Sequence, residues 1–409
     1  MKTNTALDQK KTEFARGRPD DAASILEAAV GLQALIRNSR PQIDQERRLP
    51  PALIEALQEA GVFRMTMPLE WGGAELDPLS QLRIIEALSV ADASVGWCVM
   101  IGSDSGYFSG FIDQQVARSM YTDIDMITGA ALTATGRAVR EKNGYRVSGR
   151  FPFSSGCHHA SWFVLGCKVY AGDEQLFLPN GTPQTLQCFV PADEVVILDT
   201  WDSTGLRGSG SNDLSVGECF VPAERTFSYQ DIRPYREGVL YRFPLNILLN
   251  FSSVPLGVAQ CALDAVIAAG ERPSRITTID GKVTPLRTLR DEAFVQDAVG
   301  QAAAKIGSMR AWLYDSIGDL WEGLCSGREP SPAQFAGFQM LNTHVYQTCT
   351  DAVQLLYKVR GGSSVYAGGD LDRCLRDCVT MNQHVMNSLR SYAMGGRLLL
   401  GLPPEQILL

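Results

Sequence analysis

The chain has little that would take it to a membrane or to nucleic acid. Its 409 residues contain no apolar run approaching the roughly 20 that a bilayer span needs. Basic charge is in deficit, with 37 Lys and Arg against 45 Asp and Glu and a net charge of −8. Nucleic acid and anionic membranes both require basic surface, so neither is an expected partner. A local arginine cluster would still serve an anionic small molecule. The segment Met1–Asp21 is polar and lacks the apolar stretch of a secretory signal, which points to the cytoplasm. Histidine is scarce, at four residues. Of these, His158 and His159 are neighbours whose side chains diverge, and none forms a chelating pattern, so no metal is expected.

Ten cysteines are present but scattered, most of them in apolar surroundings. A chain this long does not need disulfide staples. Cys374 and Cys378 share a helix face but have no second pair beside them, and read as small buried hydrophobes. A 45% hydrophobic content is enough for a large core divided into two or three regions.

Three regions follow from the periodicity. Residues 1–127 read as a helical domain. Asp20 and Asp21 are capping candidates, one helix runs from Pro51 to Gly61 and another from Leu79 to Val90. The helical period ends near Thr128. Short β-rich runs follow at Tyr145–Val147, Trp162–Val169, Gln187–Val190, Val195–Leu198 and Asp213–Val221, in the pattern of a sandwich or barrel over residues 128–240. Residues 241–409 are helical again, with long segments near 247–271, 287–325, 331–359 and 371–399. The expected class is α+β: a helical domain, a compact β domain and a four-helix bundle.

Candidate chemistry is sparse. Gly205–Ser211 is glycine-rich, but a strand-like run follows it rather than the helix of a dinucleotide fingerprint. It reads either as a bare loop or as one closely approaching a cofactor. Ser155 follows an aromatic at a strand end and lacks a nucleophile elbow, so serine hydrolysis is not expected. His384 stands alone on the last helical segment, a place where histidines are usually structural. With no metal pattern, any oxygen chemistry falls to an organic cofactor.

Taken in order, several segments resemble the acyl-CoA dehydrogenase superfamily over nearly the whole chain. They are Pro68–Gly73, Ala93–Trp97, Gly149–His159, Gly205–Ser211, and Gly361–Ser363 with Arg373–Asp377. The closest resemblance is to the superfamily's two-component monooxygenases, which use reduced flavin. It implies a homotetramer with FADH2 or FMNH2 between the β domain and the bundle. Phe153, Ser154 and Ser155 occupy the place where the dehydrogenases set a Trp-Ile-Thr segment against the flavin, with Ser155 toward N5. Leu132 and Thr133 resemble the preceding contact strand. Gly361 and Gly362 resemble a turn that reaches a neighbouring subunit's flavin, and Arg275 is the candidate phosphate partner.

A dehydrogenase must remove an α-proton, and its base is a carboxylate. Counting two turns past Arg376-Asp377 lands on Gln383-His384-Val385, and no Glu occurs between Pro330 and Pro404. The family's alternative position falls near Asn246-Ile247, also without a carboxylate. The resemblance therefore implies oxygen chemistry through a C4a-hydroperoxyflavin, with flavin reduced by a separate reductase. Ser155 would accept from N5–H, and His384, at an ordinary pKa near 6.5, would take a proton from a phenol, indole or amine. On the substrate side the expected residues are Trp97, Arg207 as a donor, and Asp104. Asp104 would meet an amine or indole N–H, or else is a helix-end residue. The expected substrate is a small aromatic or heteroaromatic. The alternatives are a desaturase with a displaced base and a silent flavin-binding protein.

Overall fold

The structure, a computed structural model, describes residues 18–243, 249–279 and 282–402. The N-terminal region is helical: α1 Ala22–Gly31, α2 Gln33–Glu46, α3 Pro51–Glu59, α4 Pro78–Ala91, α5 Ala93–Gly102, α6 Ser105–Ser109 and α7 Gln114–Met120. Asp21 caps α1 by accepting from the Ser24 amide at 2.8 Å. Pro51 and Pro78 stand at the first positions of α3 and α4, where a missing N–H costs nothing. Helix α5 has no polar face and is buried all round, as an apolar helix inside a core must be.

The chain then forms β1 Thr128–Glu141, β2 Gly144–Ser154, β3 Trp162–Ala171, β4 Glu174–Gln175, β5 Thr185–Pro191, β6 Val196–Leu198, β7 Asn212–Pro222 and β8 Thr226–Phe227. They make one mixed sheet in the order β6-β7-β2-β1-β3-β5-β8, with β4 on β3. Strands β1 and β3 are parallel and the other pairs antiparallel. One apolar cluster is drawn from β1, β2, β3, β5 and β7 with Cys157 alone. The sheet therefore folds over its own core, which is the compact β unit expected from the short alternating runs.

After the short helix α8 (Val239–Arg242) come α9 Ser253–Ala268, a hairpin of β9 Pro273–Ile279 and β10 Lys282–Thr288, α10 Ala293–Cys325, α11 Pro332–Arg360, α12 Asp370–Met381 and α13 Arg390–Leu399. Helix α9 packs against α4, α11 and α12, so one large core joins the first and last regions. The hairpin falls in a gap that periodicity left unassigned. The fourth segment departs from expectation, because it is two helices separated by Asn382–Leu389. The Asn387 amide closes the end of α12 by donating to the Met381 carbonyl at 2.9 Å.

Cys374 and Cys378 are buried and form no disulfide, consistent with their reading as core residues. Among the described residues no cluster could hold a metal, and no helix is long and apolar enough to cross a membrane.

Candidate active site

Ser155 follows the end of β2, where the strand departs from regular pairing. The β2–β7 register shifts between Phe151 and Ser154, and Phe153 adopts a left-handed φ of 61°. That conformation costs a non-glycine residue of order 1–3 kcal/mol and persists only where its surroundings enforce it. The Phe153 amide leans on Asp213 Oδ1 at 3.4 Å, and its ring, edge-on to Trp201, stays 69% exposed. The neighbouring strand β1 carries a matching irregularity between Ala131 and Gly136, which contains Leu132 and Thr133. The two stretches expected to touch a flavin are therefore bulges on adjacent strands, a common way to re-aim side chains at a site.

Gly156 turns the chain after Ser155. Its φ is +70°, its N–H donates to the Ser209 carbonyl at 2.7 Å, and a Cβ there would lie 2.9 Å from His159 Nε2. Ser155 itself is buried. Its Oγ accepts from Trp97 Nε1 at 2.9 Å and lies 2.7 Å from Ser211 Oγ. Trp97 comes from the buried helix α5, whose start is fixed by Asp92 accepting from the Ser94 and Val95 amides at 2.9 and 3.3 Å. The indole ring stands edge-on to His384, with ring centroids 5.6 Å apart. Phe251 closes the group, 5.5 Å from Trp97 and 4.9 Å from His384.

The break in the last segment places His384. The residue is not on a helix. It precedes a single tight turn, Val385–Asn387, and its Nδ1 accepts from the Met386 amide at 3.3 Å. A neutral ring whose Nδ1 accepts carries its proton on Nε2. Burial pushes the imidazole pKa from its ordinary 6.5 to about 4, so the ring is neutral at physiological pH. The expected proton acceptor thus has its Nδ1 lone pair engaged by the Met386 amide, which leaves the proton on Nε2. Among the described hydrogen bonds and ion pairs, none joins a carboxylate to Ser155, Trp97 or His384.

The glycine-rich loop 205–211 packs against protein. A Cβ on Gly208 would meet Ile43 at 2.1 Å and Ser94 at 3.0 Å, so glycine lets the loop lie against α2 and α5. Asp377 of α12 accepts from the Leu206 amide at 2.6 Å. Arg373, one turn earlier, binds Asp44 at 3.0 and 2.5 Å and Asp92 at 3.2 Å. The Arg373–Asp377 stretch thus ties α12 to α2, to the start of α5 and to the loop that supports Ser155. Arg207 is engaged within this scaffold, through Asp202 at 3.0 Å and the carbonyls of Ser203 and Asp44 at 2.7 and 3.3 Å.

Asp104 is buried at the start of α6, beside Asn250 and Tyr229. Burial raises its carboxyl well above the usual range, an effect the Asn250 amide only partly opposes. Asn250 directly precedes Phe251, so this buried acid has a partner next in sequence to the aromatic group. Gly361 and Gly362 are exposed at the end of α11, lining an open groove with Tyr357, Lys358, Val365 and Leu375. Arg275 lies in β9, and its side chain falls outside the described residues, as do Asn246 and Ile247 altogether. Ser209, Ser211 and Phe251 were not singled out by sequence. The serines lie in the glycine-rich stretch, which was a signal, whereas Phe251 carries no pattern at all.

The chain has relatives along nearly its whole length. Residues 29–112 match the family model of the acyl-CoA dehydrogenase N-terminal domain, and residues 249–389 that of the C-terminal domain. The chain is 28% identical to an indole-3-acetate monooxygenase of Pseudomonas putida, across 93% of this chain and 96% of that one. It is 27% identical to the oxygenase component of an FADH(2)-dependent resorcinol hydroxylase of Rhizobium sp., across 92% and 93%. The crystal structure of the HsaA monooxygenase from M. tuberculosis superposes with a TM-score of 0.85 at 26% identity, covering 94% and 99% of the two chains. The chain belongs to the acyl-CoA dehydrogenase superfamily, in its branch of flavin-dependent monooxygenases.

Proposed function

We propose that this chain is an oxygenase component that hydroxylates or N-oxidises a small aromatic or heteroaromatic substrate, with its reduced flavin delivered by a separate reductase. The observation that carries the reading is the group Trp97–Ser155–His384–Phe251, an aromatic cluster holding a serine and a histidine, to which no carboxylate bonds among the described residues. The relatives' substrates, indole-3-acetate and resorcinol, belong to the same chemical class.

The residues present fit a flavin. Phe153 is a large apolar ring held out on strained backbone, as suits a face that a planar ring system covers. Ser155, just past the end of β2, and the bulge at Leu132–Thr133 of the adjacent β1 flank it, with the buried Ser154 closing β2. Gly361 and Gly362 offer bare backbone, and the exposed Val365 and Tyr366 next to them suit a subunit contact in a tetramer. Arg275 remains the candidate for the phosphate end. Bound reduced flavin supplies the activation of molecular oxygen.

The chain's own residues then have distinct tasks. Ser155 accepts a hydrogen bond at the flavin N5 edge. Trp97 holds Ser155 by its indole N–H and walls off water with Phe251. His384 is a neutral donor through Nε2–H, stabilising negative charge that develops on an oxygen beside it. Asp104, whose carboxyl burial raises above the usual range beside Asn250, is the candidate to select a substrate hydroxyl or N–H. Arg207 serves the loop rather than the substrate.

The test is a panel of indoles, phenols and aromatic amines offered with reduced FMN or FAD and a reductase. Products heavier by one oxygen from at least one aromatic class are expected. Hydrogen peroxide as the sole product, together with rapid bleaching of bound oxidised flavin by an acyl-CoA, would favour a desaturase instead.

A further inference from the structure

Ser155 heads a row of three hydroxyls. Its Oγ lies 2.7 Å from Ser211 Oγ, which lies 2.7 Å from Ser209 Oγ, which in turn lies 2.7 Å from the Leu206 carbonyl oxygen. All three serines are buried. We propose that this row fixes the Ser155 hydroxyl as a pure acceptor toward the flavin, so that Ser209 and Ser211 are positioning residues that select reduced over oxidised flavin.

The direction of the row follows from its ends. A carbonyl oxygen can only accept, so Ser209 spends its single proton on Leu206. Reversing that hydroxyl would set two oxygens 2.7 Å apart with no proton between them. Ser211 must then donate to Ser209, and Ser155 to Ser211. The other end agrees, because the Trp97 indole N–H can only donate, and it donates to Ser155 at 2.9 Å. Ser155 is left with one lone pair and no proton to give. Leu206 is itself held by the Asp377 carboxylate on its amide, and its carbonyl also accepts from Trp201 Nε1 at 3.0 Å, so the terminus is fixed by packing.

This polarity discriminates between redox states. The N5 atom of reduced flavin carries a hydrogen and donates, whereas in oxidised flavin N5 is a bare acceptor. Facing Ser155, the reduced form gains a hydrogen bond. The oxidised form sets two acceptors against each other at the buried Ser155, a mismatch that costs roughly tenfold in affinity. An oxygenase supplied by a separate reductase benefits directly, since spent flavin leaves and reduced flavin replaces it. The inference rests on Ser155 lying at N5, as set out above.

Anaerobic titration with oxidised and reduced flavin measures the ratio of the two dissociation constants. The natural chain is expected to favour reduced flavin. Ser211→Ala frees the Ser155 proton to serve oxidised N5, and the preference should fall roughly tenfold. Ser211→Thr keeps the hydroxyl and should restore it, which a merely structural role would not require. Trp97→Phe leaves the Leu206 end in control and should retain the preference. Should Ser211→Ala lose its fold, Ser209→Ala cuts the same row one link further on and carries the same expectation. A natural ratio retained in Ser211→Ala, while Ser155→Ala alters it, overturns the relay but leaves Ser155 at N5. A ratio unmoved by Ser155→Ala overturns the placement of Ser155 itself.

Discussion

At the scale of single residues, the chemistry depends on which atoms of His384 remain available. Its Nδ1 is occupied by the Met386 amide and burial depresses its pKa to about 4, so its proposed role is that of a neutral N–H donor. The chemical step should therefore show no inflection near pH 6.5. In single-turnover measurements from pH 5.5 to 7.5, product formation should stay level. His384→Ala should reduce it roughly 100-fold, the usual effect of deleting one preorganised donor. His384→Gln, which can place an N–H near the former Nε2, should recover part of that loss. An inflection near 6.5, with Gln no better than Ala, would return His384 to the role of base. The position was legible in the sequence as a candidate, because the missing glutamate drew attention to it. Its protonation was not, since both the cap and the burial depend on where the chain breaks.

At the scale of elements, the glycine-rich loop and α12 act as one support. The Asp377 carboxylate holds the Leu206 amide, and burial, with Asp92 adding to it, raises the Asp377 pKa to about 7. The folded state thus binds this proton more tightly than the unfolded chain, whose value lies near 3.8. That contribution is present at pH below 3.8 and is lost as pH rises toward 7. Asp377→Asn keeps an oxygen for Leu206 and removes the titration. Its melting temperature should accordingly gain on the natural chain between pH 5 and pH 8. A constant difference across that range would show that Asp377 is ionised throughout, compensated by Arg373 and Arg376. Helix positions in the N-terminal region were readable from capping residues and proline at first turns. The loop's role was not, because glycine content alone does not distinguish packing against Ile43 and Ser94 from cradling a phosphate. The break after Met381 was also hidden. It contains neither Gly nor Pro, and Asn387 closes α12 from six residues away.

At the scale of the whole molecule, the order of helices, β unit and helices was legible, as was the family, because motifs that are weak alone became specific in sequence order. The hairpin β9–β10 and the parallel pairing of β1 with β3 were not, since register depends on partners distant in sequence. The central claim concerns the reaction itself. A protein of this fold in which, among the described residues, no carboxylate bonds to Ser155, Trp97 or His384 should insert oxygen rather than remove hydrogen. The most direct measurement supplies the enzyme with reduced flavin and its best aromatic substrate under 18O2, and reads the product by mass spectrometry. One labelled oxygen atom in the product is the expected result. An unlabelled product carrying oxygen from water, or a product that has only lost two hydrogens, would contradict the account.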